Sequence, residues 1–293
     1  MDDIRISQDI ILKIKQLWIP AKKLNWGIEY AKENQIDSIF IWNGGVDSPN
    51  LLDFEMLKEI PNLRAFELAS PLAKGSDVSG IHSLTNLERL AYFEYDKYPL
   101  DNSSFPHLKY LYTHYSSNLN CGKSSLKNLS QLKKLKLWHV NVRDFLFLSD
   151  INSVTDLEIT WGNCSSLSGI EQLSNLRNIT LRNLKNISDL KEVLLNKSIK
   201  TVNIETCKRI LCNSFKHDES EITHLDIDKI DDLSFIPLLS RLEFLGFKKC
   251  TSNDLSPLLL SKSLKRVFFQ DAKRYLYRQE DINNHITKSR ETE

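Results

Sequence analysis

The chain has 293 residues, and its 39 Lys and Arg side chains are balanced by 38 Asp and Glu side chains to a net charge of +1. This balance argues against a dominant electrostatic attraction to nucleic acid or to an anionic membrane, because both depend on a surplus of positive charge. No apolar run approaches the roughly 18 residues of a membrane span. We therefore expect neither a nucleic-acid partner nor a membrane partner.

Residues 1–35 differ from the rest of the chain and are expected to form an N-terminal cap. The stretch from Ile10 to Leu17 is apolar and basic, and the stretch from Trp26 to Asn34 predicts a short helix. The first residues lack the basic start and the apolar run of a secretory signal, so we expect a cytoplasmic protein.

An apolar triplet, L-x-x-L-x-L, dominates residues 36–273 and recurs every 20 to 27 residues. Of its 33 positions only Thr113 is not Leu, Ile, Val, Phe or Tyr, and all eight prolines lie outside the six-residue windows. Since proline is avoided in strand interiors, each window predicts a short strand. The period predicts one stacked solenoid domain, because each repeat buries its apolar edge against its neighbours. The triplets begin at Ile36, Leu63, Leu87, Leu108, Leu132, Val154, Leu176, Ile199, Ile222, Leu242 and Leu264.

The segments between the triplets are short and predict single turns of 3₁₀ or α helix. Residues 77–87 closely parallel residues 166–176, with a polar start and apolar spacing suited to one such turn. From about Arg274 the chain turns polar. Residues 274–293 are therefore expected to form a C-terminal cap or tail, with residues 280–293 frayed or disordered.

These triplets and turns resemble the leucine-rich repeat family, in its short-period branch of about 22 residues. Bacterial internalins and the leucine-rich regulatory subunit of protein phosphatase 1 belong to that branch. The resemblance implies an α/β solenoid, a horseshoe of about eleven repeats with a parallel β-sheet on the concave face and short 3₁₀ or α turns on the convex side. The chain departs from the family pattern in its uneven repeat lengths and in mostly lacking the asparagine after the triplet.

Alternation along each strand predicts which side chains line the concave face. If triplet positions one, four and six point into the core, positions three, five and seven face outward and position eight lies at the strand end. Aromatic residues concentrate there in repeats three to six, and Tyr and Trp are typical of interface hot spots. We expect these residues and their charged neighbours to bind a partner: Phe93, Tyr95, Tyr110, Tyr112, His114, Tyr115, Lys134, Lys136, Trp138, His139, Glu158, Trp161 and Arg182.

Two other interpretations of these aromatic residues are open. The rings could pack sideways along the strand ladder and only stabilise the sheet, or N-terminal residues could fold over them. Arg89, with Lys134 and Lys136, is expected to form a charged rim on one side of the patch. The five cysteines lack paired spacing, and we expect buried, reduced thiols.

Motifs for catalysis or cofactor binding are weak. The run from Gly122 to Ser125 resembles the tail of a phosphate-binding loop, but residue 117 is serine where that loop needs glycine. His114 and His139 lie in adjacent repeats without a third metal ligand. We expect no enzymatic activity, no cofactor and no metal.

These features indicate a non-catalytic protein-binding module that is a monomer when alone. The first hypothesis is a cytosolic immunity protein that binds and neutralises a cognate bacterial toxin through the concave face. The second is a regulatory or scaffolding subunit of an enzyme such as a phosphatase, and the third is a secreted bacterial effector that binds a host protein. Each predicts a protein partner, with a toxin or effector domain favoured. A tight toxin complex is expected to bury at least about 800 Å² per partner.

Overall fold

Short strands alternate with single helical turns along almost the whole chain. The computed structural model describes residues 5–45, 48–215 and 220–291. They belong to two compact units, Met1–Leu137 and Trp138–Glu293. The boundary between the units lies inside one strand, β7 (Lys134–Val140).

In the first unit the strands follow one another in chain order. β1 (Arg5–Gln8) and β2 (Lys15–Pro20) form an antiparallel hairpin, and from β2 to β6 (Tyr110–His114) the strands pair in parallel. The register places position four of each repeat beside position four of the next, as in the pairs of Ile39 with Phe66 and of Leu90 with Leu111. The elements are β1 (Arg5–Gln8), β2 (Lys15–Pro20), α1 (Leu24–Glu33), β3 (Ser38–Trp42), β4 (Ala65–Ala69), β5 (Arg89–Tyr92) and β6 (Tyr110–His114).

The second unit continues the same pattern. From β8 to β13 each strand pairs in parallel with the next, again with position four beside position four, as in the pair of Val202 with Leu225. The elements are β8 (Asp156–Gly162), β9 (Asn178–Leu184), α2 (Lys191–Leu195), β10 (Thr201–Glu205), β11 (His224–Ile230), β12 (Phe244–Cys250), α3 (Ser256–Leu259), β13 (Arg266–Phe269) and α4 (Gln279–Glu291).

Short 3₁₀ helices supply most of the returns between strands, as the turn-length segments predict. In the first unit they are Ala21–Lys23, Glu55–Glu59, Ser79–Ser83, Asn102–Ser104, Ser117–Asn120, Gly122–Ser124 and Leu126–Asn128. In the second unit they are Leu146–Leu148, Ile170–Gln172, Cys212–Phe215 and Ile236–Leu238. The run that resembles the tail of a phosphate-binding loop therefore lies in one such 3₁₀ turn, Gly122–Ser124.

The core of each unit consists of the triplet side chains. Every one of the eleven triplets is buried at positions one, four and six, and the most exposed of these residues, Ile36, shows 5% of its surface. Burying one such side chain contributes about 1.5–3 kcal/mol. Thr113, the polar exception, is fully buried, and its hydroxyl donates to the carbonyl of His114. The predicted strand register is confirmed.

The parallel ladder begins one strand before the first of the eleven triplets. Ile14, Leu17 and Ile19 have the same spacing as a triplet, and Leu17 pairs with Ile39 of the first predicted strand. Leu17 and Ile19 are fully buried. A weaker triplet in the basic stretch therefore marks an additional strand, β2, which was not predicted from the sequence.

An aspartate begins many of the turns and sets their geometry. In each case one carboxylate oxygen accepts a hydrogen bond from the backbone N–H two residues on, which is the geometry of an Asx turn. This contact satisfies a donor that the return segment would otherwise expose at its start. The residues are Asp53, Asp77, Asp101, Asp144, Asp189, Asp232 and Asp254.

The aspartates of these turns make the free energy of unfolding depend on pH in the acidic range. Hydrogen bonds donated by the serine two residues on lower the pKa of Asp77, Asp101 and Asp254. Their ionisation therefore stabilises the folded state above the unfolded pKa of about 3.9, and this contribution is lost as pH falls through the lower folded pKa. Burial raises the pKa of Glu94, which acts in the opposite direction.

We expect the free energy of unfolding to fall between pH 5 and about pH 3, and to fall less steeply when all three aspartates are changed to asparagine. The triple variant Asp77→Asn/Asp101→Asn/Asp254→Asn keeps an acceptor oxygen at each turn but cannot titrate. Urea unfolding followed by circular dichroism at several pH values measures both slopes. Equal slopes for the variant and the wild type would contradict this origin of the acid sensitivity.

The C-terminal residues form a helix that covers the last strand, so the expectation that residues 280–293 fray is wrong for the described part of the chain. The α4 side chains of Asn283 and Gln279 accept hydrogen bonds from the backbone N–H groups of Val267 and Phe269 on β13. Ile282 is fully buried. The helix therefore satisfies the donors of an edge strand that would otherwise invite pairing with another chain.

Two glycines explain why residues 77–87 and 166–176 look alike. A Cβ atom on Gly80 would lie 1.8 Å from the carbonyl oxygen of Phe54, and one on Gly169 would lie 2.5 Å from the backbone of Phe145. Gly169 also has a positive φ of 104°, which glycine adopts without a steric penalty. Both turns thus pack directly on the backbone of the preceding repeat.

All five cysteines are free thiols, but they are not all buried. Cys164, Cys207 and Cys250 are buried, Cys212 is half-buried and Cys121 is exposed. Burial raises the pKa of Cys164 and Cys207 to about 11, so these two thiols are poor nucleophiles at neutral pH. The expectation of buried thiols is therefore wrong for Cys121.

Candidate functional site

The N-terminal turn covers part of the open face, by which we mean the side of each unit's sheet that faces away from its core. Asp9 lies in the turn between β1 and β2, where it accepts hydrogen bonds from the N–H groups of Ile11 and Leu12. Its other carboxylate oxygen lies 3.1 Å from a guanidinium nitrogen of Arg89 on β5. Asp9 is 1% exposed and Arg89 is 4% exposed. The pair is therefore a buried ion pair.

Arg89 is enclosed on its remaining sides as well. Its guanidinium group pairs with Glu67 on the neighbouring strand and lies over the ring of Tyr112, 5.5 Å from the centroid. The expectation that Arg89 forms an exposed charged rim is therefore wrong. Small side chains at the same position of the two preceding repeats, Ser38 and Ala65, are also fully buried. They leave room for the N-terminal turn.

The predicted aromatic residues of the first unit lie on β6 and beside it. Tyr110, Tyr112 and His114 occupy alternate positions of β6 and are half-buried. The rings of Phe93 and His114 lie 5.0 Å apart at their centroids. The rings of this group therefore pack partly against one another across the strands and remain partly exposed to solvent.

Other predicted residues of the first unit flank β6. Tyr115 follows the strand, and its hydroxyl accepts a hydrogen bond from the side chain of Asn120 at 3.1 Å. Lys134 and Lys136 occupy positions three and five of the fifth repeat, and both are half-buried. The two lysines alternate with the buried Leu135 on β7 and therefore line the open face of the first unit.

Tyr95 belongs to the core, so its prediction as a surface residue is wrong. It is 1% exposed, and its hydroxyl donates to the side-chain oxygen of Asn102 at 2.7 Å. Its ring packs edge-on against Tyr92. β5 ends at Tyr92, so the alternation that predicts an outward side chain no longer applies at residue 95.

Three predicted aromatic residues of the second unit form one cluster. The ring of Trp161 stacks on His139 at 5.3 Å and meets Trp138 edge-on at 5.9 Å. His139 is exposed, and Trp161 leaves 46% of its surface in contact with solvent. Such a large exposed indole has no role in the core, and a cluster of this kind is typical of an interface.

The last two predicted residues, Glu158 and Arg182, join in a charged network. Arg182 donates two hydrogen bonds to the carboxylate of Glu205, at 2.9 and 2.8 Å, and a third to Glu158 at 3.1 Å. The hydrogen bonds that Arg182 donates to Glu205 are the main cause that raises the pKa of Arg182. The planar guanidinium suits this two-pronged contact, so the network fixes the orientation of Arg182 on the open face.

Position eight of four successive repeats has an unusual backbone in the second unit. His139, Trp161, Asn183 and Thr206 have φ angles of 53°, 53°, 54° and 56°. This left-handed conformation costs a residue other than glycine roughly 1–2 kcal/mol. It turns position nine back into the core, where Val140, Leu184 and Cys207 are buried, and this burial offsets the strain. Position eight is then left on the surface.

A groove of 880 Å³ runs along these strand ends. One row of its lining consists of the four position-eight residues. The second row lies two residues further on in each repeat and consists of Asn141, Asn163, Lys185 and Lys208. The groove therefore combines an aromatic end, a row of amides and two lysines. Of this lining, only His139 and Trp161 were predicted from the sequence as site residues.

Among the residues that the structure describes, no group of three or more His, Cys, Asp or Glu side chains is placed to hold a metal ion. The described helices likewise include none that is long and apolar enough to cross a membrane.

Comparisons with known proteins identify the fold. No protein-family model matches the chain, and no curated protein matches its sequence. Among solved structures, the chain is similar to an internalin from Listeria monocytogenes, with a TM-score of 0.52 and 17% identity over 82% of this chain and 69% of the internalin. It is also similar to a leucine-rich-repeat protein from Leptospira interrogans, with a TM-score of 0.48 and 16% identity over 91% of this chain.

The chain spans 62% of the length of the Leptospira protein. Together with the strand register, the likeness to the internalin confirms the leucine-rich-repeat solenoid. At this level of identity the likeness concerns the fold, and function must be argued from the surface itself.

Proposed function

We propose that this chain is a non-catalytic protein-binding module that acts in the cytoplasm, as a monomer when alone, and neutralises a cognate bacterial toxin as its immunity protein. The observation that carries the proposal is the cluster that half-buried Trp138 forms with exposed His139 and Trp161 on the second unit. Large amphipathic rings of this kind supply most of the binding energy in protein interfaces.

Charged groups beside the aromatic residues support a specific partner. Arg182 is held between Glu158 and Glu205 on the second unit, and half-buried Lys134 and Lys136 flank the tyrosines of the first unit. Such mixed charges select one partner more than they strengthen binding in general. An immunity protein needs this selectivity because it must recognise a single toxin.

A growth assay tests the toxin assignment. An immunity gene is expected directly after its toxin gene, so the product of the neighbouring upstream gene is expressed in a bacterial host with and without this chain. We expect arrested growth, which the wild-type chain restores and the folded Trp138→Ala/Tyr112→Ala variant does not. A Leu146→Ala/Leu238→Ala variant, which removes two exposed leucines from 3₁₀ turns, serves as the matched control and should restore growth.

The growth assay, together with affinity capture by the chain, separates the competing functions. A harmless neighbouring product would contradict the immunity role. Capture of an active phosphatase by the chain would instead favour a regulatory subunit, and capture of a host protein would favour an effector.

A further inference from the structure

The groove at the strand ends of the second unit has a lining that the open face lacks. The lining includes two lysines, Lys185 and Lys208, and none of the lining residues is Asp or Glu. Neither lysine forms an ion pair within the part of the chain that the structure describes. The groove therefore favours a negatively charged occupant.

The opposite end of the groove is aromatic. Trp161 forms a shelf there with His139 stacked against it, and the same indole contacts Trp138. The groove is thus continuous with the aromatic cluster through which we propose that the chain binds its partner. An occupant of the groove can belong to the same partner.

Amide side chains connect the two ends. The carboxamides of Asn141, Asn163 and Asn183 lie along the groove, and each offers both a donor and an acceptor, as the peptide backbone does. Four repeats about 4.8 Å apart span about 14 Å, which matches four to five residues of an extended peptide. The length of the groove, its amide side chains and its two lysines therefore fit an extended, negatively charged peptide.

We propose that this groove binds an extended acidic segment of the protein partner, with an apolar or aromatic side chain on Trp161 and carboxylates at Lys185 and Lys208. The inference rests on the proposed protein-binding function and adds the chemistry of the recognised segment.

Synthetic peptides test the groove without knowledge of the natural partner. A displayed library of random nonapeptides is selected on the full wild-type chain and counter-selected on the Trp161→Gly variant. Glycine accepts the left-handed backbone of residue 161, so this variant should keep its melting temperature while it loses the aromatic shelf. We expect the selected peptides to contain an apolar or aromatic residue together with several Asp or Glu residues.

Fluorescence anisotropy then measures binding of the selected peptides. We expect affinity to fall at least tenfold when their acids are replaced by the matching amides, and at least tenfold in the Lys185→Gln/Lys208→Gln variant. The control Lys262→Gln/Lys273→Gln removes the same charge from exposed lysines elsewhere on the second unit and should leave binding unchanged.

Three results would overturn the proposal. They are selection of peptides without acidic residues, affinities that the groove variants leave unchanged, and binding of a sulfated oligosaccharide or single-stranded DNA in the groove when acidic peptides do not bind. Capture of the natural partner through the open face alongside any of these results would leave the proposed function standing. If the chain binds acidic peptides in the groove but neutralises no toxin, the groove proposal stands and the proposed immunity function is wrong.

Discussion

Replacing Asp9 with alanine is expected to lower the free energy of unfolding by about 3–5 kcal/mol, because it leaves the buried charge of Arg89 without one of its partners. Asp9 is 1% exposed and the Arg89 side chain 5%, so solvent screens the pair very little. The change also removes the acceptor for two backbone N–H groups of the N-terminal turn. An effect of this size is a large fraction of the stability of an ordinary domain.

Urea unfolding followed by circular dichroism measures this loss, and two further variants identify its cause. Asp9→Asn keeps an acceptor for the turn but removes the charge, and we expect an intermediate loss. Asp96→Ala removes an exposed aspartate from the same unit and should change stability by less than about 0.5 kcal/mol. A loss for Asp9→Ala no larger than that of the exposed control would contradict a buried, stabilising contact between the turn and β5.

Truncation of Leu135 to alanine is expected to cost about 2–5 kcal/mol of stability. Leu135 occupies position four of the fifth triplet and is fully buried, so the change both removes apolar burial and leaves a cavity. The matched control is Leu146→Ala, since Leu146 is 50% exposed on a 3₁₀ turn. The same unfolding measurement applies, and similar losses for the two variants would show that the triplet positions do not form the core.

The repeat ladder could be predicted because its signal is local and periodic. Positions one, four and six are apolar in the eleven triplets except at Thr113, and a one-residue shift of register would expose the whole set. The turns between the strands could be predicted because their signal is also local. Each short connection has room for a polar residue followed by one helical turn. The strand at Leu17 was missed because its triplet lies in a basic stretch, where Lys13 and Lys15 flank Ile14.

The burial of Arg89 could not be predicted from the repeat pattern. Its partner Asp9 lies 80 residues earlier in the sequence, in a turn whose position over the sheet depends on the fold of the whole first unit. The small residues at position three of the first two repeats, Ser38 and Ala65, were the available sign that something covers that part of the open face.

Only part of the groove lining, His139 and Trp161, could be predicted from the sequence, and the reason lies in the backbone. The simple alternation of a strand predicts outward and inward side chains up to position seven. The left-handed backbone at His139, Trp161 and Thr206 changes that alternation, and neither Trp nor Thr is a residue from which a positive φ would be expected. The second row of the groove, including Lys185 and Lys208, follows from this backbone.

The measurement that tests the central claim most directly is an affinity capture from the native organism, with the wild-type chain beside the Trp138→Ala/Tyr112→Ala variant. Mass spectrometry identifies the captured proteins, and calorimetry with the purified partner then measures both affinities. We expect one partner to be captured by the wild type and lost with the folded variant, and each single substitution to weaken binding by about 2 kcal/mol or more. Equal capture of the same protein by both chains would show that binding does not use the open face.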